Sequence, residues 1–100
     1  MKRIPFTISG VVIALRNVFD PETGFNIVDM GLLYGLEIEK NTVIITLTYS
    51  SPACPLGEVM EYDIRKQVNQ FFGVKTIQLN ITFVPAWNPA MISEIARNSM

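Results

Sequence analysis

A chain of 100 residues, 49% hydrophobic and 17% charged, has the composition of one small domain with a single modest core, and it excludes a disordered chain. A formal net charge of −1, with eight scattered Lys and Arg, gives no electrostatic case for nucleic acid or an anionic membrane. The absence of histidine excludes Ser-His-Asp and Cys-His catalysis and imidazole zinc sites, and one cysteine, Cys54, excludes an internal disulfide. Chemistry is therefore left to a thiol, carboxylates, hydroxyls and backbone groups, with the cytoplasm as the expected location. No apolar run approaches the roughly 20 residues of a membrane span. Pro5, Ser9, Gly10 and Arg16 interrupt the apolar stretch after Met1-Lys2-Arg3, which argues against a signal peptide.

In chain order, the spacing of Ile8, Val11, Val12, Leu15, Val18 and Phe19 predicts a helix over Ile8–Val18, N-capped by Thr7 and ended by Asp20-Pro21. Glu22–Leu32 reads as a loop with one helical turn at Ile27-Val28-Asp29-Met30. Leu33–Glu39 and Val43–Tyr49 read as strands joined at Lys40-Asn41 in an antiparallel hairpin. A second helix runs from about Pro55 or Leu56 to Phe72, with Leu56, Val59, Met60, Ile64, Val68, Phe71 and Phe72 at helical spacing. Its acidic residues lie early and its basic residues late, matching the helix dipole. Thr76–Val84 alternates, with Ile77, Leu79, Ile81 and Phe83 facing one way, so one sheet face is buried. Asn88-Pro89 reads as N-cap and first residue of a short final helix. The predicted fold is a single α+β domain over residues 1–100. It is a two-layer sandwich in the order helix-strand-strand-helix-strand-helix, with a three-stranded sheet and the helices packed on one face.

The stretch Thr48-Tyr49-Ser50-Ser51-Pro52-Ala53-Cys54-Pro55-Leu56-Gly57 leaves a strand, passes two prolines and enters a helix. With Pro55 at the first helical position Cys54 is the N-cap; with Ser51 as the cap of a helix begun at Pro52, Cys54 lies in the first turn. Both arrangements put the sulfur near unpaired N–H groups and the positive end of the dipole, which favours a thiolate. A thiolate is a nucleophile and a soft metal ligand. The competing role is a small buried hydrophobe, which suits mid-element cysteines better than one between prolines. Asp20, Glu22 and Asp29 place three carboxylates in the loop before the hairpin, where capping and turn formation are the competing role. Trp87 reads as a lid over the core.

Three segments stand out in this order: Ala14–Val18 with Asp20-Pro21-Glu22, Asn26–Leu32 and Tyr34; Thr46-Leu47-Thr48 with Ser51-Pro52-Ala53-Cys54-Pro55-Leu56; and Pro85-Ala86-Trp87 with Met91–Arg97. Together they resemble the small-domain family that includes SufT, PaaD and the eukaryotic cytosolic iron–sulfur targeting factors. The resemblance implies a helix–hairpin–helix–strand domain that builds iron–sulfur clusters or delivers them to recipient proteins. It places the family's cysteine on Cys54, its acidic positions on Asp20, Glu22 and Asp29, and its strand-end hydroxyl on Thr48; Ser51, the alternative helix cap, is a further supporting candidate. The implied cargo is an iron–sulfur cluster or iron, held transiently. The implied partners are iron–sulfur assembly proteins or apo-recipients, or a second copy in a homodimer, because one cysteine cannot supply four ligands. Two other classes of function stay open on the sequence. One is a thiol-dependent enzyme with Cys54 as nucleophile; the other is a PaaD-like maturation partner of an oxygenase.

Overall fold

The alternation of Val43, Ile45 and Leu47, all completely buried, sets one strand at the centre of the molecule. The computed structural model describes residues 7–21, 23–50, 57–71 and 73–93. Its elements are α1 (Ile8–Leu15), β1 (Leu33–Glu39), β2 (Thr42–Leu47), α2 (Gly57–Val68), β3 (Thr76–Ile81) and a 3-10 helix (Pro89–Met91). The sheet order is β1-β2-β3, with β1 antiparallel and β3 parallel to β2. Val11, Ala14 and Leu15 of α1 and Met60, Ile64 and Val68 of α2 pack with the buried residues of β2 in one core. The predicted α+β sandwich, its element order and its three-stranded sheet are therefore present.

The local signals act as predicted. Thr7 Oγ1 accepts from Gly10 N at 3.0 Å, capping α1. Asn88 Oδ1 accepts from Ala90 N at 2.9 Å, so the Asn88-Pro89 pair opens the final short helix. Lys40 turns the hairpin at φ 54°, and the Asn41 carbonyl accepts from Lys75 N at 2.9 Å, tying the start of β3 to the same corner.

Four predicted element ends fall two to four residues early. The first helix ends at Leu15 rather than Val18. Asn17 N and Val18 N bond to Ala14 O and Leu15 O in a tightened last turn, and the Val18 carbonyl is then taken by Ile27 N at 2.9 Å. Phe19 pairs with Asn26 and is left 51% exposed, and Ile8 is also exposed, so neither joins the core face. β2 stops at Leu47 rather than Tyr49, because Thr48 N bonds to Leu32 O instead of a strand. β3 stops at Ile81 rather than Val84, because β2 offers no partner beyond the bond from Thr82 N to Leu47 O. Thr82 Oγ1 then accepts from Val84 N at 3.2 Å and turns the chain. Ile81 and Phe83 are therefore more than a third exposed, while Ile77 and Leu79 do pack on the core. α2 ends at Val68 rather than Phe72, with Gln70 N and Phe71 N bonded to Gln67 O and Val68 O in a tightened final turn. Met60, Ile64 and Val68 of α2, and Phe71 just after it, face the core as predicted, but Val59 is exposed. The start of α2 before Gly57, the side chain of Phe72 and residues 94–97 lie outside the described residues.

The loop before β1 folds into the single turn predicted for it. Met30 N bonds to Asn26 O at 3.0 Å, and the turn closes with Leu32 N to Ile27 O at 3.0 Å and Gly31 N to Val28 O at 3.1 Å. This pairing is a Schellman closure, and it requires a left-handed residue at the C′ position. Gly31 supplies it at φ +76°. A Cβ on Gly31 would also run into the backbone carbonyl of Met91.

Two stability measurements follow. Ile45→Ala, a deletion in the centre of the core, is expected to lower the unfolding free energy by about 2–5 kcal/mol in urea titrations. Gly31→Ala is expected to cost more than Gly24→Ala. Both glycines have φ near +77° (76° and 78°), but Gly24 has nothing within 4 Å of its would-be Cβ. Strain alone costs more than about 1 kcal/mol, and the excess at Gly31 measures its contact with Met91. Equal losses would mean that contact carries no weight.

Candidate functional site

The predicted thiol stretch is anchored at both ends by described elements. Thr48, Tyr49 and Ser50 leave β2, and Gly57 is the first described residue of α2. Cys54, Ser51 and Glu22, three of the predicted site residues, lie outside the described residues. Of the others, Thr48 follows β2 and Asp29 lies in the turn that leads into β1, while Asp20 lies in the loop after α1.

Thr48 is completely buried, an uncommon place for a hydroxyl next to a loop. Its N–H donates to the Leu32 carbonyl at 2.9 Å, which joins the exit of β2 to the end of the Asn26–Leu32 turn. Its Oγ1 lies 3.4 Å from the Tyr49 carbonyl, within reach of a weak bond. Asp20 is 2% exposed. Its backbone closes the loop on both sides, donating to Phe25 O and accepting from Gly24 N, both at 2.8 Å. A buried aspartate in a loop between apolar elements is a stronger functional signal than an exposed one, because burial of a carboxylate is costly.

Asp29 performs the capping role that its spacing allowed. Asn26 Oδ1 accepts from Asp29 N at 2.9 Å, and Asn26 Nδ2 donates back to Asp29 Oδ2 at 2.7 Å, a reciprocal arrangement close to a capping box. Arg16 Nη1 lies 3.5 Å from Asp29 Oδ1, with the arginine half exposed, a pair worth little by itself. The Asp29 carboxylate thus has two protein partners already. Among the described residues no three Cys, Asp or Glu side chains converge into a metal-binding group.

The chain after β3 is the part that sequence spacing did not connect to this end. It crosses from β3 toward β1 and the turn. Tyr34 Oη donates to Pro85 O at 2.7 Å, Trp87 Nε1 donates to Met30 O at 2.7 Å, and Ser93 N donates to Asp29 O at 2.6 Å. Trp87 packs on the core as its predicted lid role requires, and its indole also pins the turn. Tyr34 reaches the strap because β1 carries a bulge. Leu33 faces Leu47 and Gly35 faces Thr46, so Tyr34 is the extra residue and is aimed out of register. The signal that could have found it was a tyrosine followed by glycine inside a strand. Under the strap lies an open groove of about 580 Å³ lined, among the described residues, by Leu33, Tyr34, Thr46, Thr82, Val84 and Pro85, and not by Asp20, Asp29 or Thr48. Among the described residues no helix is long and apolar enough to cross a membrane.

Comparison with known proteins gives this end of the molecule a context. An Fe-S protein maturation auxiliary factor of Porphyromonas gingivalis is 38% identical over 86% of this chain and 83% of that protein. An iron-sulfur cluster carrier protein of Synechocystis is 34% identical over 76% of this chain, a match that spans 22% of that longer protein. The solved structure of a conserved hypothetical protein of Thermotoga maritima superimposes with a TM-score of 0.83 at 31% identity, covering 98% of this chain and 97% of that one. Residues 9–79, which run from α1 to within β3 and include Cys54, match the family described as iron-sulfur cluster assembly protein. The chain belongs to that family.

Proposed function

We propose that this protein is an accessory factor that assembles iron–sulfur clusters or delivers them to recipient proteins, with Cys54 as a transient or shared ligand. The observation that carries this reading is the family match across the thiol stretch, together with the maturation-factor relative that covers most of the chain. The geometry of the flanks supports it. The described flanks of segment 51–56 are the buried strand end Leu47-Thr48 on one side and a helix packed on the core on the other.

The cluster is cargo. A cluster takes four ligands, mostly thiolates, and Cys54 supplies one. The rest come from a second copy of the chain, from small thiols or from an assembly or recipient protein. Handover is a ligand exchange. The bond from iron to Cys54 Sγ breaks as a bond to a recipient thiolate forms, the recipient thiol gives up a proton, and the freed Cys54 thiolate takes one up, with no electron transferred. Asp20, Glu22, Asp29, Thr48 and Ser51 shape the surroundings of this exchange and are not assigned as ligands.

Anaerobic reconstitution of the wild type and Cys54→Ser, followed by visible absorption and transfer to an apo-acceptor, tests this. The wild type is expected to take up and pass on cluster, and Cys54→Ser to transfer about tenfold more slowly or worse. Loss of a group that merely supports a metal ligand already costs that much. Equal transfer by both proteins would remove Cys54 from the ligand set.

A further inference from the structure

The sheet has β1 at one edge and β3 at the other, and only β1 is defended against pairing. β1 carries Glu37 and Glu39 and is bent by its bulge, both common protections of an edge strand. β3, Thr76-Ile77-Gln78-Leu79-Asn80-Ile81, has no charge, no proline and no bulge. Its parallel register with β2, continued by the bond from Thr82 N to Leu47 O, turns the backbone groups of Gln78, Asn80 and Thr82 toward β2. Those of Ile77, Leu79 and Ile81 therefore point away from the sheet. Arg65 Nη1 of α2 donates to the Ile77 carbonyl at 3.1 Å, so that outward acceptor is taken. The outward N–H and C=O groups of Leu79 and Ile81 have no partner among the described residues.

A second copy fits this edge because the edge is self-complementary. Antiparallel pairing about a two-fold axis at Asn80 sets Leu79 against Ile81 of the second copy, and Ile81 against its Leu79. Both are hydrogen-bonded pairs, so every free outward group of Leu79 and Ile81 is used and Arg65 keeps Ile77. An axis at Leu79 would need the Ile77 carbonyl that Arg65 holds. On the helix side, apolar Leu79 and Ile81 meet apolar partners, and Ile81 is more than a third exposed in the single chain. The charges agree as well. α2 runs back along β3: Arg65 lies beside Ile77, and at the other end Gly57 lies against the Tyr49 ring, which meets Phe83 with centroids 6.2 Å apart. Glu58, two helical turns before Arg65, shares its face. About the axis at Asn80, position 77 comes opposite position 83, which brings Arg65 of each copy to the Glu58 end of the other.

We propose that the β3 edge is a homodimer surface, where two copies join through Leu79–Ile81 about an axis at Asn80 into one continuous sheet. The surface goes beyond the cluster function and does not depend on the ligand role of Cys54.

One strand pair is a small interface, so the association is weak and depends on concentration. Under reducing conditions, the sedimentation coefficient of the full chain is expected to rise between about 10 µM and about 1 mM, the span of a weak complex. Asn80→Lys, at an exposed position, sets two like charges directly opposite each other at the axis and is expected to weaken association by about tenfold or more. Gln78→Lys, equally exposed, faces Thr82 of the second copy instead and is expected to weaken it much less. Cross-linking reads the register directly. In the Cys54→Ser background, Asn80→Cys is expected to form a disulfide-linked dimer with copper phenanthroline, because residues opposed at the axis lie about 4.5 Å apart at Cα. Gln78→Cys is expected to stay monomeric, because its mate lies about 13 Å away along the strand. A wild-type chain that stays monomeric to about 1 mM overturns the proposal and leaves the edge to a strand of another protein. Equal weakening by the two lysine variants, or equal cross-linking at the two positions, overturns it too.

Discussion

The turn Asn26–Leu32 is the constraint on which the functional end of this molecule depends. Its closure needs a left-handed Gly31, and the absence of a side chain there lets the backbone at Met91 approach. Three carbonyls of the turn then act as anchors. Asp29 O takes the Ser93 amide, Met30 O takes the Trp87 indole, and Leu32 O takes the Thr48 amide at the exit of β2. Each is an ordinary hydrogen bond, worth about 1 kcal/mol net. Together they tie the loop, the central strand and the strap after β3 into one piece, and the strand leading to Cys54 leaves from it.

The parts of the fold that were legible in the sequence are those decided within a few residues. The hairpin follows from two strand patterns and the Lys40-Asn41 corner, and β1 spans the predicted Leu33–Glu39. Thr7 and Asn88 cap as their side chains predict, and the Asn26–Asp29 pair makes the turn expected at Ile27–Met30. Two of the misplaced boundaries are set at a distance. The end of α1 depends on Ile27 claiming the Val18 carbonyl, and the end of β3 depends on the length of β2, neither of which periodicity can encode. The same holds for the site. Asp20 and Thr48, which the family resemblance singled out, are both buried, and periodicity alone did not show that. Trp87 on Met30, Tyr34 on Pro85 and Tyr49 on Gly57 are contacts of tertiary structure, and the sequence shows only that these aromatic residues stand at element ends.

Asp29 shows how a carboxylate can satisfy two readings at once. Its backbone and side chain complete the turn with Asn26, which is reason enough for its place in the chain. That same turn carries the Leu32 carbonyl bonded to Thr48, which links Asp29 to the exit of β2. Under the ligand role proposed for Cys54, the chain would supply one thiolate of the four ligands a cluster takes, and another molecule would supply the rest.

The account stands or falls on whether Cys54 serves cluster delivery in a cell. The direct measurement is the specific activity of an iron–sulfur dehydratase in cells whose own member of this family is deleted and replaced by this chain or by its Cys54→Ser variant. An iron-free zinc enzyme serves as the internal control. The account predicts that the wild-type chain restores dehydratase activity, that Cys54→Ser at equal abundance does not, and that the zinc enzyme is unaffected throughout. Equal restoration by the two chains would contradict it.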